Sequence, residues 1–485
     1  MNTQASTPPN SGQEPVESNH FSIYVLFGFA LLGLLVTRIW DFAGFTTNEQ
    51  LFYLLAKKGG NYQLLNIVSL LFGTKMIAIL AILVGAGIII FLQKKDSSPS
   101  LSQQDAFIRR QLWYIFFGLF CAFIILAPDD ILYHFGIAGI LLFAFWKISV
   151  RGLLITALIC ICIYSGKLYW NYNDNGSDLK KYTVVTAIEK KFKIKDSLRV
   201  RKDSLATPKD SLKSPTFLAK RKITDSLAKK NDTLTTKQAG EKGKWESIIK
   251  NLKYDSSKTI AKNKAMRAGY KKSWFHLKGI AQDKESYWLY SIGVWDIGSM
   301  MLLGMALLGL GFFHQRFTVG KYLLFALIGI AVGLALAYYR MNNNHIRLQD
   351  YAKYIQGHSL PYNQFLPIEQ LFLVVGYISL MMALIQQKVI KWFWVALSAV
   401  GRMVLSNYFL QTLICAFWFY GYGAGFYGRF QQWELYFIVV LITLVQIVFS
   451  IIWLRNYQTG PAEWLLNCLI NRKWQPIKKQ AHSVN

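Results

Sequence analysis

Residues 434–454 read ELYFIVVLITLVQIVFSIIWL, with Arg455 immediately behind. Glu434 is the only charge in the run and stands at its leading edge. At 1.5 Å per residue a helix of this length measures about 30 Å, the thickness of a bilayer's hydrocarbon core. Apolar residues occupy every face, without the strict alternation of a barrel strand. A helix also satisfies its own backbone hydrogen bonds inside lipid, so the run reads as a membrane span.

Similar runs recur at about 21–40, 74–93, 111–128, 131–148, 151–169, 289–313, 322–339, 366–386 and 404–422. The fold class expected is therefore all-α, a polytopic transmembrane helical bundle of about ten spans. Composition agrees, because 53% of the 485 residues are apolar, including 33 Phe, 26 Tyr and 15 Trp. A soluble fold would leave much of that surface wet. The stretch 44–73 mixes apolar residues with Lys57, Lys58, Gly59 and Gly60, and admits a span, a re-entrant piece or an interfacial helix. The leading tail, Met1–His20, has no Lys or Arg and no cleavage site follows the first run. That run reads as a retained span. Cys121, Cys160, Cys162, Cys415 and Cys468 lack metal-site spacing and read as small hydrophobes, so no metal is expected.

Lys and Arg in short connections set the orientation. Lys94, Lys95, Arg109, Arg110, Lys147, Arg151, Arg316, Lys321, Lys388, Lys391 and Arg402 fall on one side, with Arg455, Arg472, Lys473, Lys478 and Lys479 in the tail. The other side's short loops hold fewer cations, which places both termini in the cytoplasm. The domains expected are a polar tail over 1–20, a first membrane half over 21–169, a basic low-complexity insert over 170–288, a second half over 289–454 and a cytoplasmic segment over 455–485. The insert carries much of the net charge of +28 and faces outside on this topology, as long segments translocate regardless of charge. Lys-Asp-Ser-Leu repeats there at 195–198, 202–205 and 209–212, with relatives at 224–227 and 231–234, interrupted by Pro208 and Pro215. It reads either as a solvated, partly helical arm or as a polycation for anionic lipid head groups or envelope polymers. No nucleic-acid partner is expected outside a membrane.

Residues 400–423, VGRMVLSNYFLQTLICAFWFYGYG, and 449–466, FSIIWLRNYQTGPAEWLL, together resemble the C-terminal signature of the YeiB-like bacterial membrane proteins, the family defined by domain of unknown function 418. KMIAILAILVGAG at 75–87, RRQLWYIFFGLF at 109–120, DDILYHFGIAG at 129–139 and IGSMMLLGMALLGLG at 297–311 agree with that family in order. The resemblance implies a bacterial inner membrane. The family has no established activity; it has been described as transport-related, and its core resembles the transmembrane acyltransferases. Two departures stand out. Where relatives carry Leu-Asp-x-x-Arg-Gly in the first span, this chain has Ile23-Tyr24-Val25-Leu26-Phe27-Gly28, with Arg38 near Asp41 further along. Where relatives carry Gly-x-x-His in the third, it has Gly118-Leu-Phe-Cys121.

Polar groups within spans are costly, and each is a candidate site. Asp130 and His134 are four apart on one helix face. They read either as a general base with its orienting carboxylate or as a helix cap beside a carbonyl-bonded imidazole. One expectation is that His134 replaces the imidazole missing at Cys121. Arg402, Asn407 and Gln411 read either as an anion-binding set for an acyl-coenzyme A donor or as a snorkelling cation with interhelical amides. Asp296 and Glu369 are candidate proton or ion sites, and Lys75 a snorkelling cation. Gly401 and the turn Gly460-Pro461-Ala462-Glu463-Trp464 read as structural, with Pro461 and Glu463 opening a helix, Trp464 at the interface, and Glu463 within reach of Arg402 or Arg455. Three functions follow: acyl transfer to an envelope acceptor, solute transport past Asp296, Glu369 and Arg402, or a non-catalytic envelope role. No P-loop, GxSxG or dinucleotide fingerprint is present.

Overall fold

The computed structural model describes residues 20–44, 60–93, 101–205, 233–253 and 255–479. Lys57, Lys58, Lys94, Lys95, the repeats at 209–212 and 224–227, and most of the leading tail lie outside them. Helices account for the described architecture. They are α1 Phe21–Ala43, α2 Gly60–Leu71, α3 Lys75–Leu92, α4 Leu101–Phe120, α5 Leu132–Leu142, α6 Val150–Leu205, α7 Thr236–Leu252, α8 Ser256–Arg267, α9 Tyr270–Asp283, α10 Val294–Gly309, α11 Val319–Gln349, α12 Tyr351–Gly357, α13 Leu366–Gln386, α14 Lys391–Arg402, α15 Val404–Phe419, α16 Gln432–Asn456 and α17 Pro461–Asn471.

Eight helical stretches are long and apolar enough to cross a membrane, and a bent pair, α14 with α15, makes up to nine. Two of the expected spans differ. The fourth shrinks to Leu132–Phe145, about 20 Å of helix and too short to cross alone. The ninth breaks at Met403, where α14 and α15 meet at 81°. The stretch 60–71, left open by its mixed composition, is helical.

The chain forms two compact units. The first comprises residues 1–167, 256–341 and 365–485. At its centre lie α3 and α10, and its periphery includes α16, whose span is only 28% buried against 72% for α3's. Phe437, Val440, Leu441, Leu444 and Val448 project from α16 as exposed apolar side chains, the surface a bilayer covers. Two close helix crossings organise the centre. A Cβ on Gly28 would stand 2.1 Å from the Leu397 carbonyl oxygen, and one on Gly401 would stand 1.8 Å from that of Tyr24. Gly85 meets the Met301 carbonyl and Gly304 that of Ile82 in the same manner. Both crossings use small residues from the quoted motifs to bring backbones together where no hydrophobic force separates helix from lipid.

The second unit comprises residues 168–255 and 342–364. Trp245 from α7 is buried and stacks on Tyr351 at 5.6 Å. The Tyr172 hydroxyl donates to the His358 carbonyl, the Asn175 amide to the Tyr351 hydroxyl, and Lys242 pairs with Glu189 at 2.6 Å. The expected insert 170–288 is therefore not one body: its part from Ser256 onward belongs to the first unit, and 342–364 joins the second. The Lys-Asp-Ser-Leu repeats at 195–198 and 202–205 lie within α6, in keeping with their heptad spacing.

Candidate functional site

Within the first unit a cavity of about 940 Å³ is walled by apolar side chains, among them Leu31, Leu80, Leu83, Phe91 and Phe135. Four cations line it, Arg110, Arg402, Arg455 and Lys479, and no carboxylate does among the described residues. Arg110 lies over the Phe91 ring at 4.8 Å and near those of Phe107 and Tyr114, so its charge is held without an ion pair drawn against it. Arg402 donates to the Gln458 carbonyl at 3.3 Å. The break at Met403 positions this cation at the end of α14, while α15 begins afresh at Val404.

That fresh start has its own support. Glu463 accepts from the backbone N–H groups of Leu405 at 2.6 Å and Ser406 at 3.1 Å and from the Ser406 hydroxyl, which in turn accepts from Ala462 N–H. The free N–H groups that open a helix are thus satisfied by a carboxylate, the sign its dipole favours. A Cβ on Gly460 would press on the Glu463 carboxylate and the Ser406 hydroxyl, so a larger residue there would disturb these bonds. The two C-terminal motifs are one structural joint, and Glu463 meets neither Arg402 nor Arg455. Burial holds the Glu463 carboxyl above the usual carboxylate range.

Tyr408, one turn into α15, also lines the cavity. Its buried hydroxyl donates to Asp130 Oδ2 at 2.6 Å and accepts from Ile131 N–H at 3.2 Å. Asp130 Oδ1 accepts from Leu132 N–H at 2.8 Å and Tyr133 N–H at 3.4 Å, capping α5. The Arg38 guanidinium lies 4.6 Å from the centre of the Tyr408 ring and donates through Nη1 to Thr412 Oγ1 at 3.1 Å. Its Nη2 is buried without a partner among the described residues. Arg38 therefore turns into the bundle, and among the described residues it makes no ion pair with the nearby Asp41 within 4 Å. Cys121 is fully buried, and its thiol bears on Asp130 and Arg38. Tyr24 and Phe27, standing where the resemblance expects an acid and an arginine, line the cavity instead.

The sequence-based candidates separate. Asp130 does not orient His134 through its carboxylate: His134 Nδ1 lies 2.8 Å from the Asp130 backbone carbonyl, the ordinary geometry of residues four apart on a helix. A carbonyl only accepts, so Nδ1 carries a proton. Nε2 then faces two oxygens, the Lys284 carbonyl at 3.3 Å and Glu285 Oε2 at 3.7 Å. Glu285 is buried, and neither of its carboxylate oxygens has another hydrogen-bond partner among the described residues. Glu285 Oε2 thus lies within electrostatic but not hydrogen-bonding range of the imidazole, and Trp288 stands edge-on to His134 at 5.1 Å.

Arg402, Asn407 and Gln411 do not converge. Asn407 Nδ2 donates to the Val400 carbonyl and to Ser450 Oγ, while Gln446 donates to the Asn407 carbonyl, so this amide ties α15 to α14 and α16. Gln411 is buried away from the cavity, its amide unpartnered among the described residues. The bend at Met403 breaks the helical register that would have brought Arg402 to their face. Glu369 is closed off by Lys75 at 2.8 Å and Arg340 at 2.7 Å, and Lys75 is buried rather than snorkelling. Asp296 is half-buried and keeps Oδ1 without a partner beside Gln370. The Trp464 indole donates to the Gln475 carbonyl at 2.7 Å and packs on Trp474.

Tyr408, Glu285 and the cations Arg110, Arg455 and Lys479 escaped sequence reasoning as site residues. The cations carried only a topological signal, and Tyr408 was a single aromatic in an aromatic-rich motif.

Comparison with known proteins agrees with this architecture. Residues 307–473 match the family described as Protein of unknown function (DUF418). The uncharacterized protein YeiB of Escherichia coli (strain K12) is 34% identical over 185 residues, which cover 38% of this chain and 46% of that protein. The uncharacterized protein YxaH of Bacillus subtilis (strain 168) is 37% identical over 109 residues, 22% of this chain and 27% of the other. The chain thus spans less than half the length of either relative. No solved structure matches. Several apolar spans and a shared C-terminal domain define a multi-helix bacterial membrane protein. Over residues 307–473 the chain carries the domain that defines the YeiB-like DUF418 proteins.

Proposed function

We propose that the cavity holds the donor of an acyl-transfer reaction, a thioester such as an acyl-coenzyme A, and that the acyl group passes to a cell-envelope acceptor. The observation that carries this reading is the cavity's composition: apolar walls for a chain and four cations for phosphates, with no carboxylate in the lining among the described residues. On the orientation that loop cations favour, this is an inner-membrane protein with both termini in the cytoplasm, where Arg110, Arg402, Arg455 and Lys479 meet the donor. Tyr408, whose hydroxyl donates to Asp130, is one of the polar side chains in the lining, with Tyr24, Tyr114 and Ser398. In the transfer an acceptor O–H or N–H attacks the thioester carbonyl, the new C–O or C–N bond forms, the C–S bond breaks and the free thiol leaves. The acceptor's proton is taken up by the His134–Glu285 pair and handed to the departing sulfur, which leaves as the neutral thiol; the pair itself stands behind the cavity wall that Leu132 and Phe135 form.

Transport is the alternative. Its support is Asp296, a carboxylate within a span with one oxygen unpartnered among the described residues. It is weakened because, of Asp296, Glu369 and Arg402, only Arg402 lines the cavity. The basic insert, on either reading, is suited to anionic lipid head groups or envelope polymers.

The test is to supply labelled short-chain acyl-coenzyme A to the protein in liposomes with an envelope lipid and polysaccharide fraction. Label should move to the acceptor fraction, and His134→Ala and Tyr408→Phe should abolish transfer while Cys121→Ala retains it. Substrate-dependent counterflow without covalent transfer would establish transport instead.

A further inference from the structure

A second hollow of about 710 Å³ runs between α4 and α17. Arg109, Arg472 and Lys473 line it together with apolar side chains that include Leu112, Phe116 and Leu469. The contribution of α4 is ordered along the helix. Arg109, Leu112, Trp113 and Phe116 follow the spacing that stacks side chains on one face, with the cation at one end and apolar residues over about 10 Å beyond it. Leu112 and Phe116 are each 53% exposed, although they flank a helix with a packed opposite face. On α17 the same order holds: Leu465 and Leu469 precede Arg472 and Lys473, and Trp474 is 79% exposed at the charged end.

We propose that this groove binds an anionic phospholipid of the surrounding bilayer. Its phosphate would sit among Arg109, Arg472 and Lys473, and an acyl chain would lie along Leu112, Phe116 and Leu469. Charge complementarity supports this occupant. Arg109 pairs with Asp105 at 2.9 Å, but Asp105 is mostly exposed and screened, so the groove retains a net positive charge. Arg109 Nε has no hydrogen-bond partner among the described residues. A guanidinium offers a phosphate two parallel donors, and a tryptophan at the charged end suits the membrane–water interface. A soluble anion would make no use of the apolar floor. The site is distinct from the larger cavity, although Arg109 adjoins Arg110, and α17 carries the Glu463 that opens α15. A lipid lying between α4 and α17 would brace that joint.

The test uses full-length protein delipidated in a neutral detergent. Thermal stability is followed during titration with phosphatidylglycerol, phosphatidylcholine or inorganic phosphate, and retained lipid is identified by native mass spectrometry. Phosphatidylglycerol should stabilise the protein and stay bound, while phosphatidylcholine and phosphate should not. Replacing Arg109, Arg472 and Lys473 together by Ala should weaken phosphatidylglycerol binding by about tenfold or more. Arg316→Ala with Lys391→Ala, two cations remote in sequence from the groove, should leave it unchanged. If the triple variant fails to fold, Leu469→Trp, which fills the groove while keeping its cations, should reduce lipid retention. Equal stabilisation by phosphatidylcholine, a full effect from phosphate alone, or undiminished binding in the altered groove would overturn the proposal.

Discussion

Around Glu369 three charged side chains close on one another, whereas the cavity is lined by four cations and by no carboxylate among the described residues. Glu369 and Lys75 are both almost wholly buried, and Arg340 completes the set through two bonds to the same carboxylate. Both oxygens of that carboxylate are occupied by cations, so it is bound as a brace. The cavity adds open volume beside its cations. A charge inside a membrane bundle is therefore a weak marker of function by itself. What distinguishes a site from a brace is whether the charge is matched and whether space adjoins it.

The largest effect should come from the closed cluster. Glu369→Gln strands Lys75 in the bundle, and the loss should be about 3–5 kcal/mol, seen as a large fall in thermal stability in detergent. Replacing the pair together, Lys75→Met with Glu369→Leu, should cost distinctly less, because the fully buried Lys75 charge goes with its partner and only Arg340, whose side chain keeps 18% exposure, loses a carboxylate. Equal losses from both variants would mean that Glu369 acts through something other than this ion pair.

Next in size are the close crossings that hold the cavity's walls. Gly401→Ala should destabilise by about 1–3 kcal/mol, since its Cβ would overlap the Tyr24 carbonyl. Gly298→Ala, with nothing within 4 Å of the added carbon, should be neutral or slightly stabilising. Comparable losses from both would remove the crossing as the reason for glycine at 401.

A smaller effect, about 1 kcal/mol, is expected from Glu463→Gln, which keeps one acceptor for the α15 N–H groups but loses the charge. The pH dependence carries a sign. Because burial raises the folded-state value of Glu463 above its ordinary 4.5, the folded protein holds this proton more tightly than the unfolded chain. That contribution is fully present below pH 4.5 and is lost as pH rises through the higher folded value. Glu463→Gln should flatten that part of the stability profile; an unchanged slope would assign it to other groups. The smallest effect on stability belongs to Arg402→Ala, about 0.5–1 kcal/mol without ligand, the loss of an exposed bond to the Gln458 carbonyl.

Most of the helices were legible from run length alone, since about twenty apolar residues have few other fates. The exceptions have physical causes. Leu132–Phe145 is short because Asp130 caps its start and the chain tightens into a 3₁₀ turn at Phe143–Phe145. The break at Met403 depends on Glu463, sixty residues downstream, and no local pattern reports a cap delivered from so far. The site was less legible. Helical spacing joined Asp130 to His134, but their contact runs through a backbone carbonyl, and the carboxylate facing the imidazole arrives from Glu285 on a distant segment. Arg402 was found as a candidate ligand group, yet its companions are Arg110, Arg455 and Lys479 rather than Asn407 and Gln411. Sequence spacing predicts neighbours within one helix, and this cavity is assembled from several.

The central claim is that the cation-lined cavity is open to an amphiphilic anion. Its most direct test is the thermal stability of the purified protein with and without short-chain acyl-coenzyme A, beside Arg402→Ala. At a hundredfold excess over the dissociation constant, binding should add about 2.7 kcal/mol of folded-state stability in the parent protein. A clear upward shift should appear in the parent protein and be lost or much reduced in Arg402→Ala. No shift in folded parent protein, or an equal shift in the variant, would contradict it.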